Sequence, residues 1–385
     1  MSSKPGRTIP LSEPEVSGNE WRYVKDCLDS GWVSSTGAYA TRFEEVVAKY
    51  TGARYAIAVM NGTAALHLSY IALGIGPGDE VLAPALTFIA PVNAIRYCGA
   101  TPVFLDCDLQ TLGADPFKAE MYIDRHYKQS PKGLKNKRSG AILKAIVVVH
   151  VFGHPVDMDP WLSLAKRYRL PLVEDATESL GSTYRGRQTG VMGKIGVFSF
   201  NGNKILTTGG GGMIVTNDKS IAERVRHLST QAKSNPLAYD HDEVGYNYRL
   251  SALSGAMGVA QMERLDEFVQ IKRANAERYR KAFAGTGVQL LWEQPWARSN
   301  FWLCTLRVSA RIKNALLKHF IRKGIQSRPV WKLIPSLPMY ADCPADSLPN
   351  AKAIYESCLN LPSSIGLNNS DIDYVASTVR RFISL

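Results

Sequence analysis

Long apolar runs are missing from this chain. The longest, residues 141–152, is broken by Lys144 and His150, and nothing between Met1 and Trp21 has the apolar length of a signal peptide. A soluble, cytoplasmic protein with no membrane partner is therefore expected. The six cysteines, Cys27, Cys98, Cys107, Cys304, Cys343 and Cys358, show neither a Cys-x-x-Cys pair nor zinc-like spacing, so no disulfide framework and no metal site is expected. The glycine run at Gly209 to Gly212 is not followed by Gly-Lys-Ser/Thr, and it leads into a strand-like segment where a dinucleotide fingerprint would lead into a helix. Acids are absent from Arg125 to Arg138, a stretch holding Lys128, Lys132, Lys135 and Lys137. With only Tyr127 as an aromatic platform, this stretch reads as a solvated loop, and the net charge of +12 does not imply a nucleic-acid partner.

What is present is core material. A chain of 385 residues with 45% hydrophobic and 21% charged residues can bury a large core and carry a smaller domain beside it. Strands are expected near 56–60, 80–85, 102–106, 145–151, 171–174, 195–200 and 213–216, and helices near 20–28, 39–50, 63–73, 89–97 and 159–169. Near-continuous Val, Ile and Leu strands alternating with helices indicate an α/β domain whose mainly parallel sheet is covered on both faces. A long helical pattern over 249–272 leads to a C-terminal mixture of strands (288–292, 301–308) and helices (311–323, 350–359, 371–383), an α+β domain of the kind that closes over a site. The expected division is 1–250, a large domain with the N-terminal segment, and 251–385, a linking helix with the smaller domain.

Ligands of such sheets sit beyond the carboxyl ends of the strands. Phe88, Asp106 and Asp175 fall there, and Asp175 closes a buried apolar strand with no cation beside it in sequence. A helix-capping aspartate is the plainer reading. Asn61-Gly62-Thr63-Ala64-Ala65-Leu66 runs from a strand into a helix that Thr63 could cap. The free amides of such a start suit a phosphate equally well. Lys204 lies between an apolar strand and the glycine run, with the hydroxyls of Ser199 and Thr207 nearby in sequence. A lysine in a Gly- and Asn-rich turn is ordinarily a solvated charge. In a buried setting, the same amine is a Schiff-base nucleophile.

Together these segments resemble the DegT/DnrJ/EryC1/StrS sugar aminotransferases, fold type I enzymes that use pyridoxal 5'-phosphate. The resemblance runs from Ile9-Pro10-Leu11 to Leu361-Pro362-Ser363-Ser364. It implies that Lys204 is the Schiff-base lysine and that Asp175 meets the pyridine nitrogen. By the same resemblance Gly62, Thr63, Ala64 and Ser199 bind the cofactor phosphate region, and Phe88 stacks on its ring. Gly245-Tyr246-Asn247-Tyr248-Arg249-Leu250 resembles the segment whose asparagine, here Asn247, reaches the phosphate of a neighbouring subunit, which implies a homodimer with shared active sites.

Two departures from the family pattern stand out. Gly210 takes the place of a glutamate, and Glu178 stands where Gln is frequent, close to the cofactor hydroxyl in the implied site. Several segments, among them Phe152-Gly153-His154-Pro155 and Ser299-Asn300-Phe301-Trp302-Leu303, are similar to the branch that works in legionaminic acid and bacillosamine pathways. That similarity implies amination by L-glutamate at C4 of UDP-2-acetamido-2,6-dideoxy-4-keto-hexose, giving UDP-4-amino-4,6-dideoxy-N-acetyl-glucosamine. The alternatives are another keto sugar, such as GDP-4-keto-6-deoxymannose or a 3-keto sugar, and a dehydratase, although histidine replaces the lysine in relatives of that kind. Arg249, Arg328 and Lys332 are candidate cations for a diphosphate, and Trp32 or Trp331 could cover the sugar or base.

Overall fold

The computed structural model describes residues 8–235 and 237–384; the first seven residues of the segment scanned above for a leader lie outside it. Among the described residues, no helix is long and apolar enough to cross a membrane.

Short apolar runs form the main sheet because both of their faces can be covered. Its strands lie in the order Tyr55–Val59, Gly212–Thr216, Ile195–Ser199, Leu172–Asp175, Ile142–Val149, Asp79–Pro84 and Thr101–Leu105. The last five are parallel, while Gly212–Thr216 is antiparallel to both neighbours. Helices Gly62–Ala72, Ala90–Tyr97 and Lys219–Ser229 cover one face. Pro116–His126, Met158–Tyr168, Ala38–Thr51 and Ala252–Met262 cover the other. The parallel arrangement brings strand ends to one edge, where Val59, Gly212 and Ser199 stand side by side and Asp175 lies opposite Val197. Gly212 is required there. A Cβ on it would lie 2.5 Å from the carbonyl carbon of Asn61, so only glycine lets this strand start against the Asn61 turn.

The smaller sheet is antiparallel, in the order Gln289–Leu290, Cys304–Arg307, Cys358–Leu361 and Arg328–Pro329. Its core takes residues from helices Ala310–Arg322 and Asn369–Ile383. Ile9, assigned by sequence to the large domain, is buried in this smaller core and pairs with Ile325.

The pattern over 249–272 is two helices, Ala252–Met262 and Leu265–Phe283. Glu263 is drawn out to Asn19 and Tyr23, Arg264 has φ −113°, and Asp266 and Glu267 suit the start of a new helix. The second helix joins the domains: Leu265, Phe268 and Val269 belong to the large core, and Ala276, Tyr279 and Phe283 to the small one.

The basic stretch is not a loop. It forms a hairpin, Tyr127–Ser130 with Gly133–Asn136, on the start of Ile142–Val149. Tyr127 and Leu134 turn inward, Asn136 and Tyr127 donate to the buried Glu80, and the lysines face out. Strands of four residues are too short for their alternation to stand out in sequence. The helix expected over 350–359 stops at Ser357, because Cys358–Leu361 pairs with Cys304–Arg307 as a strand.

Candidate active site

Asn61, not Thr63, caps the helix Gly62–Ala72: its Oδ1 accepts the Ala64 amide at 2.8 Å. The Ala64 amide is thereby used internally, and the amides of Gly62 and Thr63 have no partner among the described residues. They open onto a cleft of ≈ 310 Å³ lined also by Phe88, Glu178, Ser199 and Lys204. Ser199 packs closely on the turn, since a Cβ on Gly62 would lie 3.0 Å from the Ser199 Cβ.

Lys204 follows the strand Ile195–Ser199 on a turn braced from below. Thr207, expected near the amine, serves the turn instead: its hydroxyl donates to Phe200 O and accepts from the Gly209 amide. A Cβ on Gly210 would meet only Met60 O, at 3.9 Å, an ordinary contact, so nothing in the packing demands glycine there. The Lys204 side chain is 12% exposed. Its Nζ lies 3.4 Å from Glu178 Oε1 and 4.1 Å from the centre of the Trp302 ring.

Asp175 ends a central strand and is buried, accepting the Thr177 amide at 3.1 Å. Burial pushes its carboxyl up, opposed by the Thr177 donors and the charge of Lys204. Glu178 is also buried and accepts the Phe152 amide at 2.8 Å from a left-handed residue, φ 54°. Burial pushes Glu178 up to about 7, with Lys204 pulling the other way. Glu174, beside Asp175, is a structural carboxylate: it accepts the amides of Gly190, Met192 and Gly193 and contacts His150.

The C-terminal side closes the cleft with aromatics. Trp331 stacks on Phe152 at 4.4 Å and stands 6.5 Å from Phe88. Trp302 was quoted above only within a motif. No local signal marked its role, because the segment 299–303 is irregular and its contacts are distant in sequence.

A family model described as the DegT/DnrJ/EryC1/StrS aminotransferase family matches residues 14–380. The chain belongs to this family. It is 40% identical over 376 residues to a GDP-perosamine synthase of Caulobacter vibrioides, covering 96% of this chain and 97% of that one. A GDP-perosamine synthase of Escherichia coli O157:H7 is 39% identical over 377 residues, covering 98% and 99%. The crystal structure of the aminotransferase TlmJ from Streptoalloteichus hindustanus superposes with a TM-score of 0.89 at 29% identity, covering 98% of this chain and 99% of that one. The protein is thus a sugar aminotransferase of fold type I, dependent on pyridoxal phosphate.

The residues fit that cofactor. Among the described residues Asp175 makes no ion pair, although it feels the charge of Lys204, so its buried carboxyl is available to a protonated ring nitrogen. The nearby Tyr70 hydroxyl is buried with no hydrogen-bond partner among the described residues, and its pKa is raised by burial and by the charge of Asp175. Two free helix-start amides and the Ser199 hydroxyl suit a phosphate.

Other expected site residues are not brought to the cleft within one chain. Arg249 is already engaged: its guanidinium pairs with the buried Glu44 at 2.8 Å and reaches Ala58 O. The local sequence hid this, since Glu44 lies 205 residues earlier, on the helix Ala38–Thr51. Trp32 is 58% exposed on the segment after the first helix, Asn247 is exposed beside Thr230, and Arg328 and Lys332 are exposed on either side of Trp331 in sequence.

Proposed function

We propose that the enzyme transfers the amino group of L-glutamate to C4 of GDP-4-keto-6-deoxymannose, forming GDP-perosamine. The observation that carries the reaction is the Lys204 amine held between Glu178 and Trp302 in a cleft lined also by Gly62, Thr63 and Ser199. The sugar reading rests on two GDP-perosamine synthases, each about two-fifths identical over nearly the whole chain. They favour the GDP-linked alternative over the UDP-linked 4-keto-hexose of the legionaminic acid and bacillosamine branch, a correction to the substrate expected from the sequence.

When bound, pyridoxal phosphate supplies an electron sink for the pair left as a proton leaves the amino-bearing carbon. Asp175 would hold the proton on its ring nitrogen, and Gly62, Thr63 and Ser199 would hold its phosphate, with Ala64 beside them, its amide bound to Asn61. Phe88 would cover the ring, and Glu178 would meet its hydroxyl. Lys204 Nζ would take the proton from Cα of L-glutamate and, in the second half-reaction, would return a proton to C4 of the sugar. Over the whole cycle L-glutamate would give up its amino group and leave as 2-oxoglutarate with an oxygen taken from water, while C4 of the sugar would gain the amino group and lose its keto oxygen as water. A homodimer would bring Asn247 of each subunit to the phosphate of the other site. Trp331 lines the substrate side of the cleft, and Arg328, Lys332 and Trp32 would serve it only if a second subunit completes that side.

The test follows the reaction in two stages. The purified protein receives L-glutamate while cofactor absorbance is recorded, then GDP-4-keto-6-deoxymannose or the UDP-linked sugar, with products read by mass spectrometry. A 4-amino GDP-sugar is the expected product. Preferential turnover of the UDP-sugar would return the assignment to the other branch, and loss of water from the sugar without amine transfer would favour the dehydratase.

A further inference from the structure

Trp302 is held more firmly than a cleft-lining indole needs to be. Its amide donates to Asn300 Oδ1 at 2.8 Å, its carbonyl accepts from the buried Lys272 Nζ at 3.2 Å, and its Nε1 donates to Asn203 O at 2.6 Å. Lys272 also donates to Ser363 O at 2.6 Å, so this buried ammonium fastens the segment to the smaller domain. Asn300 Nδ2 donates to the carbonyls of Glu178 and Leu180, which ties the same segment to the residue on the other side of Lys204. Asn203 precedes Lys204 directly, so the indole is locked to the turn that carries the amine.

These bonds aim a ring face at Nζ from 4.1 Å, while Glu178 Oε1 stands at 3.4 Å. We propose that Trp302 is a positioning residue that provides the resting place for the free Lys204 ammonium during the half of the cycle in which the cofactor carries the amino group. This rests on Lys204 being the reactive lysine. An aromatic face attracts a cation but not a neutral amine, and it does so without a directed hydrogen bond. The ammonium is therefore kept within reach of the reacting carbons and released once it gives up its proton. A second hydrogen-bonding partner in place of the ring would have to be broken at each return.

The proposal predicts a shift in an equilibrium. The constant for L-glutamate plus the aldehyde form of the enzyme, going to 2-oxoglutarate plus the amine form, is read by absorbance at fixed ratios of the two acids. Trp302→Leu removes the ring and should move this balance toward the aldehyde form by about tenfold, within the range for a desolvated cation over an indole. Trp302→Phe keeps a face and should move it about threefold or less. In apoenzyme, Trp302→Leu should raise the rate at which an amine-directed acylating reagent labels Lys204, read by peptide mass spectrometry, with other lysines unchanged. Fluorinated tryptophan weakens the ring face while keeping its shape and its N–H. It should shift the balance in the wild-type enzyme and not in Trp302→Phe, which isolates position 302 from the other tryptophans and decides the matter if Trp302→Leu does not fold. An unchanged balance under fluorination, or a folded Trp302→Leu with unchanged balance and labelling, overturns the proposal. Failure of the underlying reading looks different: the unaltered enzyme would then not run the glutamate half-reaction, or Lys204→Ala would run it.

Discussion

The floor and the wall of the cleft are built in different ways. Asn61, Asp175, Ser199 and Lys204 lie at or just after the ends of main-sheet strands, so each is placed by a strand that precedes it closely in sequence. Trp302 and Trp331 lie in irregular segments after the linking helix, and long-range bonds place them: Trp302 to Asn203 across 99 residues and Asn300 to Glu178 across 122. A strand end fixes a side chain through the regular sheet, whereas the wall is fixed only once two domains meet. The floor therefore carries the chemistry common to the family, and the wall is where substrate and amine handling can vary without disturbing the sheet.

The harshest test of this contrast is Lys204→Ala. It should leave a folded protein and lower amine transfer by at least about a thousandfold, within the range that proton transfer supplies, measured as product formed per enzyme. Comparable turnover by that variant would remove the floor from the mechanism. Asp175→Asn should cost about a hundredfold or more, since it removes a preorganised charge from the reacting system. The same variant should release pyridoxal phosphate more readily on dialysis.

Glu178 sits where floor and wall join, and its test is one of stability against pH. Its folded carboxyl is raised from the ordinary 4.5 to about 7, so the folded apoenzyme binds a proton that the unfolded chain has lost. Its favourable contribution is complete below about pH 4.5 and fades as pH rises through 7, by at most about 3 kcal/mol. Urea unfolding of apoenzyme at pH 5 and pH 8 should show a smaller difference for Glu178→Gln than for the unaltered chain. Equal slopes would mean that the carboxyl is ionised throughout.

The mildest change is expected at Arg249, the candidate cation that the fold pairs with Glu44. Arg249→Ala should lower unfolding stability by about 2 kcal/mol, as one partner of a largely buried pair is lost while Arg226 still serves Glu44. KM for the nucleotide sugar should hardly move. A large rise in KM with unchanged stability would restore Arg249 to the wall.

Sequence reading reached the floor because its signals are local. An apolar strand followed by Asp, by Asn-Gly-Thr or by Ser and then Lys can be recognised within ten residues, and the sheet's parallel order then carries those ends to one edge. Arg249 and the basic stretch show the limit of that reading. A guanidinium in a motif looks free until Glu44 is folded against it, and residues 125–138 look like a loop until Tyr127, Leu134 and Asn136 are turned inward onto the sheet and Glu80.

By itself, the sequence determined the alternating α/β order and the strand-end positions of the candidate lysine and aspartate, because strand burial and turn formation depend on neighbours in the chain. Tertiary structure decided which amides at residues 62–64 remain free, which cations are already paired, and that Trp302 faces the Lys204 amine. Those outcomes depend on hydrogen bonds and ion pairs between segments far apart in the chain, and no periodicity in the sequence encodes where such partners meet.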